Sequence, residues 1–229
     1  MKYIFIHIGK TAGTSFRSFL ESNISRPYFG YSKLWFLTDV RDTNKFLEVE
    51  PRGTDIFNHF NLFSEHFAYG LHPYLSTRDY QYITVLREPV SRTISAYRYA
   101  KDRGWIDDSV TIMDWFNTPE QKDQLHYQTN HVSGVPHDVP IEIKKKEGLK
   151  NLNDDKFLFG FTEAYNEFID LCCNKNSWSP QYKKTNVTKA KNDISNSEKE
   201  TLKESLKHEI EFYNEAIEIY NKKYNKIFK

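Results

Sequence analysis

The run from Tyr3 to Phe16 limits this chain's fold more than any other stretch. Ile4 to Ile8 is apolar enough for a buried strand. The run then breaks into small residues around one lysine, and Thr14 to Ser22 reads as a helix with Phe16, Phe19 and Leu20 facing inward. Strand, tight turn and helix in that order point to an α/β layer structure. The same turn is suited to hold an anion. Small residues let the backbone come close to a ligand, and the first N–H groups of the helix point at it. Lys10 adds a point charge, and Thr11, Thr14 and Ser15 add hydroxyl donors.

The pattern repeats further along. Asp55 to Leu62 reads as a second strand, leading into Glu65-His66-Phe67-Ala68-Tyr69-Gly70-Leu71-His72. Tyr80 to Leu86 is a clearer third strand. It ends at Arg87-Glu88-Pro89, and a helical pattern follows through Val90, Ile94 and Tyr97, with Pro89 in a first turn where its missing N–H costs nothing. Residues 102–150 read as a polar, His-rich insertion with one short helix near Met113 to Asn117. Lys156 to Phe161 is a fourth strand and Glu163 to Cys173 a helix. Residues 174–196 have no periodicity, which suits either a disordered segment or a functional lid. Ser195-Asn-Ser-Glu198 is a capping box, and the apolar spacing from Leu202 to Tyr224 predicts one long helix over 196–226. Strands alternating with helices predict an α/β domain with a mainly parallel central sheet.

Composition narrows the classes. A length of 229 residues, 38% of them hydrophobic, suits one domain with a full core. With 32 basic against 31 acidic residues, the charge balance argues against a nucleic-acid partner and makes any basic site local. No apolar run approaches a membrane span, and the first residues turn polar too early for a signal peptide. The two adjacent cysteines, Cys172 and Cys173, build neither a disulfide framework nor a metal site. Together these features predict a soluble, cytoplasmic protein; the oligomeric state is not readable.

Two constellations carry chemistry. A nucleoside-triphosphate P-loop needs a glycine five residues before Gly9-Lys10-Thr11, and that position is Ile4. The turn is therefore an anion cradle in another register, with Ala12 and Gly13 following the lysine. The second constellation is Leu86 to Tyr97. Arg87 falls at the carboxyl end of a strand, where open α/β sheets bind ligands, and Ser95 lies two helical turns on. An arginine fork with a hydroxyl grips a second phosphate. No carboxylate pair suits a metal. His126, His131 and His137 are too irregularly spaced for zinc and read as a polar loop.

Together the two motifs resemble the sulfotransferases, and within them the branch of carbohydrate sulfotransferases of the heparan 2-O type with its bacterial relatives. His7 to Ser15 is similar to that branch's His-Ile-Pro-Lys-Thr-Gly-Gly-Thr-Ser loop, and Leu86 to Tyr97 to its Leu-Arg-Asp-Pro-Val-x-Arg-x-x-Ser-Ala-Tyr. Gln128-Thr129, Ser133-Gly134, Phe159 to Glu163 and Asn186 to Thr188 are weaker echoes in the same order. The resemblance implies a P-loop-NTPase-like fold and a donor, 3′-phosphoadenosine 5′-phosphosulfate (PAPS), leaving as 3′-phosphoadenosine 5′-phosphate (PAP), with no metal. Residues Gly9, Lys10, Thr11, Ala12, Gly13, Thr14 and Ser15 would hold the phosphosulfate, and Arg87 and Ser95 the 3′-phosphate. The acceptor would be a hydroxyl on a small molecule or glycan.

Lys10 would stabilise the leaving phosphate, and the resemblance favours His66 as general base, with His72 as the second candidate because Glu65 stands where the family has glycine. Gly9 in place of proline and Ala12 in place of glycine remove no donor. Lys184, with Lys183 and Lys189, either belongs to a lid over the donor or is a solvated run. Trp178 either stacks on the ligand or anchors that loop. Tyr28 to Tyr31, Trp35, Trp105 and Trp115 offer rings to a sugar, or fill the core. The rivals are a P-loop-like kinase and a non-catalytic nucleotide-binding protein.

Overall fold

The structure, a computed structural model, describes residues 1–25, 27–29, 55–182 and 194–225. Among the described residues, five strands form one sheet: β1 (Lys2–Ile6), β2 (Tyr28–Phe29), β3 (Leu62–Glu65), β4 (Tyr80–Leu86) and β5 (Phe157–Phe161). Their order is β2-β3-β1-β4-β5, and every neighbouring pair is parallel. The helices are α1 (Gly13–Asn23), α2 (Ile56–His59), α3 (Pro89–Asp102), α4 (Ile112–Phe116), α5 (Tyr127–Ser133), α6 (Ile141–Asn153), α7 (Tyr165–Asn176), α8 (Asn196–Ser205) and α9 (Lys207–Tyr224). The expected α/β architecture with a parallel sheet flanked by helices is what the chain adopts.

Alternation along the strands divides the core in two. Phe5, Leu62, Ile83, Val85 and Leu158 face α1 and α7, meeting Phe16, Phe19, Leu20, Phe168 and Ile169. Ile4, Ile6, Phe63, Tyr82, Phe157 and Phe159 face the other way, onto Phe212, Tyr213, Ala216 and Tyr220 of α9. Gly160 lets α7 come close, because a Cβ there would lie 2.2 Å from the Phe168 ring. A third cluster, with Val90, Tyr97, Ile112, Trp115, Leu202 and Leu206, joins α3, α4 and α8.

Three expectations need correction. Residues 55–62 are not a strand: Ile56–His59 is a helical turn whose Phe57 packs on Phe63, and the strand is Leu62–Glu65. An apolar run that short satisfies either period, and pairing with β1 decides it. The terminal helix is two, bent at Leu206. Leu202 and Leu206 pack against α3 and α4 while Phe212 to Tyr220 pack on the sheet, and one straight stripe cannot face both. The stretch 102–150 holds α4, a 3₁₀ segment Pro119–His126, α5 and most of α6, far more helix than one short piece. The capping box at Ser195 is present, with both of its reciprocal hydrogen bonds. Trp178 packs on Tyr3 and Phe19, so it anchors its loop to the sheet. Among the described residues, no helix is long and apolar enough to cross a membrane.

Candidate active site

Register brings the motifs to one edge. Ile6 pairs with Glu65 on one side and Thr84 on the other, so β1, β3 and β4 end side by side, and His7, His66 and Arg87 leave from neighbouring strand ends. They open onto a cleft of about 1930 Å³. Its charged lining is strongly unequal, with Lys10, Arg87, Arg92, Arg98, Arg103 and Lys199 against Asp102 and Glu120. A chain of nearly zero net charge has thus concentrated cations at one place.

The β1–α1 turn forms one wall. Lys10 and Ala12 both take positive φ, 70° and 61°, which costs a non-glycine residue on the order of 1 kcal/mol each. Strain of that kind is kept where a function requires the geometry. The N-cap Ala12 supplies no side-chain cap to α1 and the first turn carries no acidic residue, so no carboxylate of the helix offsets its positive dipole end. Gly9, Lys10, Ala12, Gly13, Thr14 and Ser15 all line the cleft. Thr11 does not: it is fully buried and its hydroxyl donates to the Ile8 carbonyl at 2.9 Å, which holds the turn together. The Lys10 ammonium lies 3.8 Å from the centre of the Tyr99 ring. Burial, then the neighbouring Arg87 charge, pushes its pKa down to about 8.

Arg87 ties the second motif to the first. Its Nη1 donates to the Lys10 carbonyl at 3.1 Å. Its backbone is locked by the Gln128 amide, which accepts from the Arg87 N–H at 2.9 Å and donates to the Arg87 carbonyl at 2.8 Å. Gln128 is itself seated by Glu209 of α9, whose carboxylate accepts from the Gln128 and Thr129 N–H groups at the start of α5. Along α3, Ser91, Ser95, Arg98, Tyr99 and Asp102 recur at three- and four-residue spacing and face the cleft.

The two candidate bases part company. His66 lines the cleft and stacks on His7, with ring centres 4.4 Å apart. Burial pushes both histidines below the usual range, with the Arg17 charge adding to each, so both rings are neutral at pH 7. The His66 Nδ1 is buried and meets no hydrogen-bond partner among the described residues, while a contact to the His7 backbone partly opposes the lowering of the ring's pKa. His72 instead packs among aromatics away from the cleft, its ring stacked on Tyr80 and its Nδ1 3.1 Å from the Tyr82 hydroxyl. Lys184 lies outside the described residues.

Three contributors had no role assigned from the sequence, although His7 and Arg92 lie within the two motifs. His7 sits where β1 ends, and Gly13 makes room for it, since a Cβ there would lie 2.0 Å from the imidazole. Its position one residue past a strand that must pair with β3 was the available signal. Fully buried Arg92 donates to the Gln124 and Thr93 side chains beneath the cleft. Tyr99 carries the Lys10 contact. Arg92 stands at the second arginine of the Leu86–Tyr97 motif, whereas nothing in the spacing distinguished Tyr99 from a core residue.

The family model described as the sulfotransferase family matches residues 1–225. The chain belongs to the sulfotransferase family. A solved sulfotransferase from Alicyclobacillus acidocaldarius superposes with a TM-score of 0.55 at 12% identity, covering 100% of this chain and 97% of that one. At that identity the likeness speaks for the fold. No curated protein matches by sequence. Membership makes this sulfotransferase an enzyme of sulfuryl transfer to a hydroxyl-bearing acceptor. Among its described residues, no group of three or more His, Cys, Asp or Glu side chains is placed to hold a metal ion.

Proposed function

We propose that this sulfotransferase moves a sulfuryl group from PAPS to a carbohydrate hydroxyl, as one catalytic domain working in the cytoplasm. What supports the reading is that two groups suited to anions line one cleft at one sheet edge, the uncapped α1 N-terminus with Lys10, and Arg87 with Ser95. A donor with phosphate groups at two ends fits two grips. The carbohydrate branch is favoured by the His7–Ser15 and Leu86–Tyr97 motifs.

PAPS supplies the activated sulfuryl group and a phosphate leaving group. The residues Gly9 to Ser15 hold that end through α1 N–H groups and the Thr14 and Ser15 hydroxyls, while Arg87 and Ser95 hold the 3′-phosphate. Neutral His66 takes the acceptor hydroxyl's proton as the new O–S bond forms and the bond from sulfur to the phosphate oxygen breaks. Lys10 and the helix dipole meet the charge that develops on that oxygen. His66 is preferred to His72 because its ring lines the cleft, whereas His72 lies away from it and is engaged by Tyr82. The two-carboxylate metal chemistry of a kinase has no counterpart in this scheme.

The test is a titration with PAP, followed by transfer from PAPS in the presence of EDTA against a panel of glycans and phenols. Saturable PAP binding and metal-independent sulfation of a glycan are expected. Absence of PAP binding overturns the donor; transfer confined to phenols overturns the acceptor class; a strict requirement for Mg²⁺ and ATP restores the kinase.

A further inference from the structure

One large apolar side chain on the cleft wall is left uncovered. Trp105 is 68% exposed, whereas Trp115 is buried in the α3–α4–α8 cluster and Trp178 is docked on the sheet. A single exposed apolar residue needs no explanation by itself; what singles out Trp105 is its place on the lining of the cleft and the contacts that hold it there.

Trp105 is also held in place. It follows α3 on a turn that Gly104 makes at φ +67°, and its N–H donates to the Ala100 carbonyl at 2.9 Å. The Gly104 N–H donates to the Lys101 carbonyl at 2.8 Å. The indole meets the Tyr99 ring edge-on at 5.4 Å and 90°. That Tyr99 ring also carries the Lys10 ammonium. One aromatic ring therefore separates the exposed indole from the lysine at the transfer end of the cleft. The Arg103 guanidinium lies 5.0 Å from the same ring and steadies it from the turn.

We propose that Trp105, backed by Tyr99, is the acceptor platform: a pyranose ring of the acceptor stacks on the indole, which sets a ring hydroxyl beside Lys10 and His66. A flat, rigid, half-apolar surface is what the C–H face of a sugar recognises, and it asks little ordering entropy of the protein. This rests on the carbohydrate reading above and names the residue that recognises the sugar.

The experiment titrates the PAP complex with neutral and uronate-containing oligosaccharides and with 4-nitrophenol, following indole fluorescence and calorimetric affinity. At least one oligosaccharide is expected to bind and to change the indole emission. Trp105→Ala should weaken that binding about tenfold, and Trp105→Phe should restore part of it. Affinity for PAP should be the same in all three proteins, which keeps this test separate from the donor reading. The platform is overturned if no oligosaccharide binds the PAP complex, if Trp105→Ala binds sugar as tightly as the parent, or if only the phenol binds. Loss of PAP binding in the parent protein would instead refute the donor reading.

Discussion

The two strand-to-helix junctions that frame the cleft share an architecture and treat their helix ends in opposite ways. At β1–α1 the N-cap is Ala12 in a left-handed conformation, with no side-chain cap. At β4–α3 the Glu88 carboxylate accepts from the Val90 and Ser91 N–H groups, and Pro89 has no N–H to offer. The first helix end is thus open to an external anion, and the second is closed by an internal one. A phosphate at the second junction must be held by side chains, which is why Arg87 and Ser95 matter there. Backbone strain collects at the open junction, and ordinary capping stabilises the closed one.

Breaking the open junction should have the largest effect. Lys10→Ala is expected to lower the transfer rate by about 10²- to 10³-fold without lowering the melting temperature; full turnover in that variant would end the assigned role. Next comes Arg87→Ala, which removes charged hydrogen bonds of about 1.5–3 kcal/mol and should weaken PAP binding roughly 10- to 100-fold. Its effect on kcat should be smaller, and a reversed order would mean that the Arg87 contact to the Lys10 carbonyl outweighs phosphate binding.

Acidity separates the junctions more gently. The Lys10 pKa is lowered to about 8, so the ammonium is present below that pH and lost above it. PAP affinity should fall as pH rises through about 8, and Lys10→Arg should abolish that limb, since guanidinium stays charged. A flat profile in the parent protein would place the binding charge elsewhere. The smallest effect belongs to the closed junction. Glu88→Ala loses a helix cap of about 1 kcal/mol and should lower the melting temperature by roughly 2–4 °C, with PAP affinity unchanged. A large change in affinity would show that the α3 end is a ligand contact after all.

His66 and His72 show where legibility stopped. Six residues apart and both beside aromatics, they differ little in local pattern, and only the family resemblance puts His66 first. The parallel pairing of Ile6 with Glu65 carries His66 to the sheet edge beside His7, while the chain beyond Gly70 turns back and gives His72 to Tyr80 and Tyr82. Helix α5 stayed hidden for another reason. Its buried residues are Gln128, Thr129, Asn130, His131, Val132 and Ser133, mostly polar, so no apolar stripe announces it. From α6 and α9, Lys144 donates to the Asn130 side chain, Asn151 donates to the Val132 carbonyl and Glu209 accepts from the Gln128 N–H.

Local order alone therefore determined a good deal. The strand–turn–helix junctions at Lys10 and Arg87, the parallel α/β class and the capping box at Ser195 are short-range features, written in apolar period, small residues and caps. Tertiary structure decided which histidine faces the cleft, that Thr11 turns inward, that the C-terminal helix bends at Leu206, and that a polar helix lies in the core. Each of these depends on strand register or on partners far away in sequence, and periodicity carries no information about either.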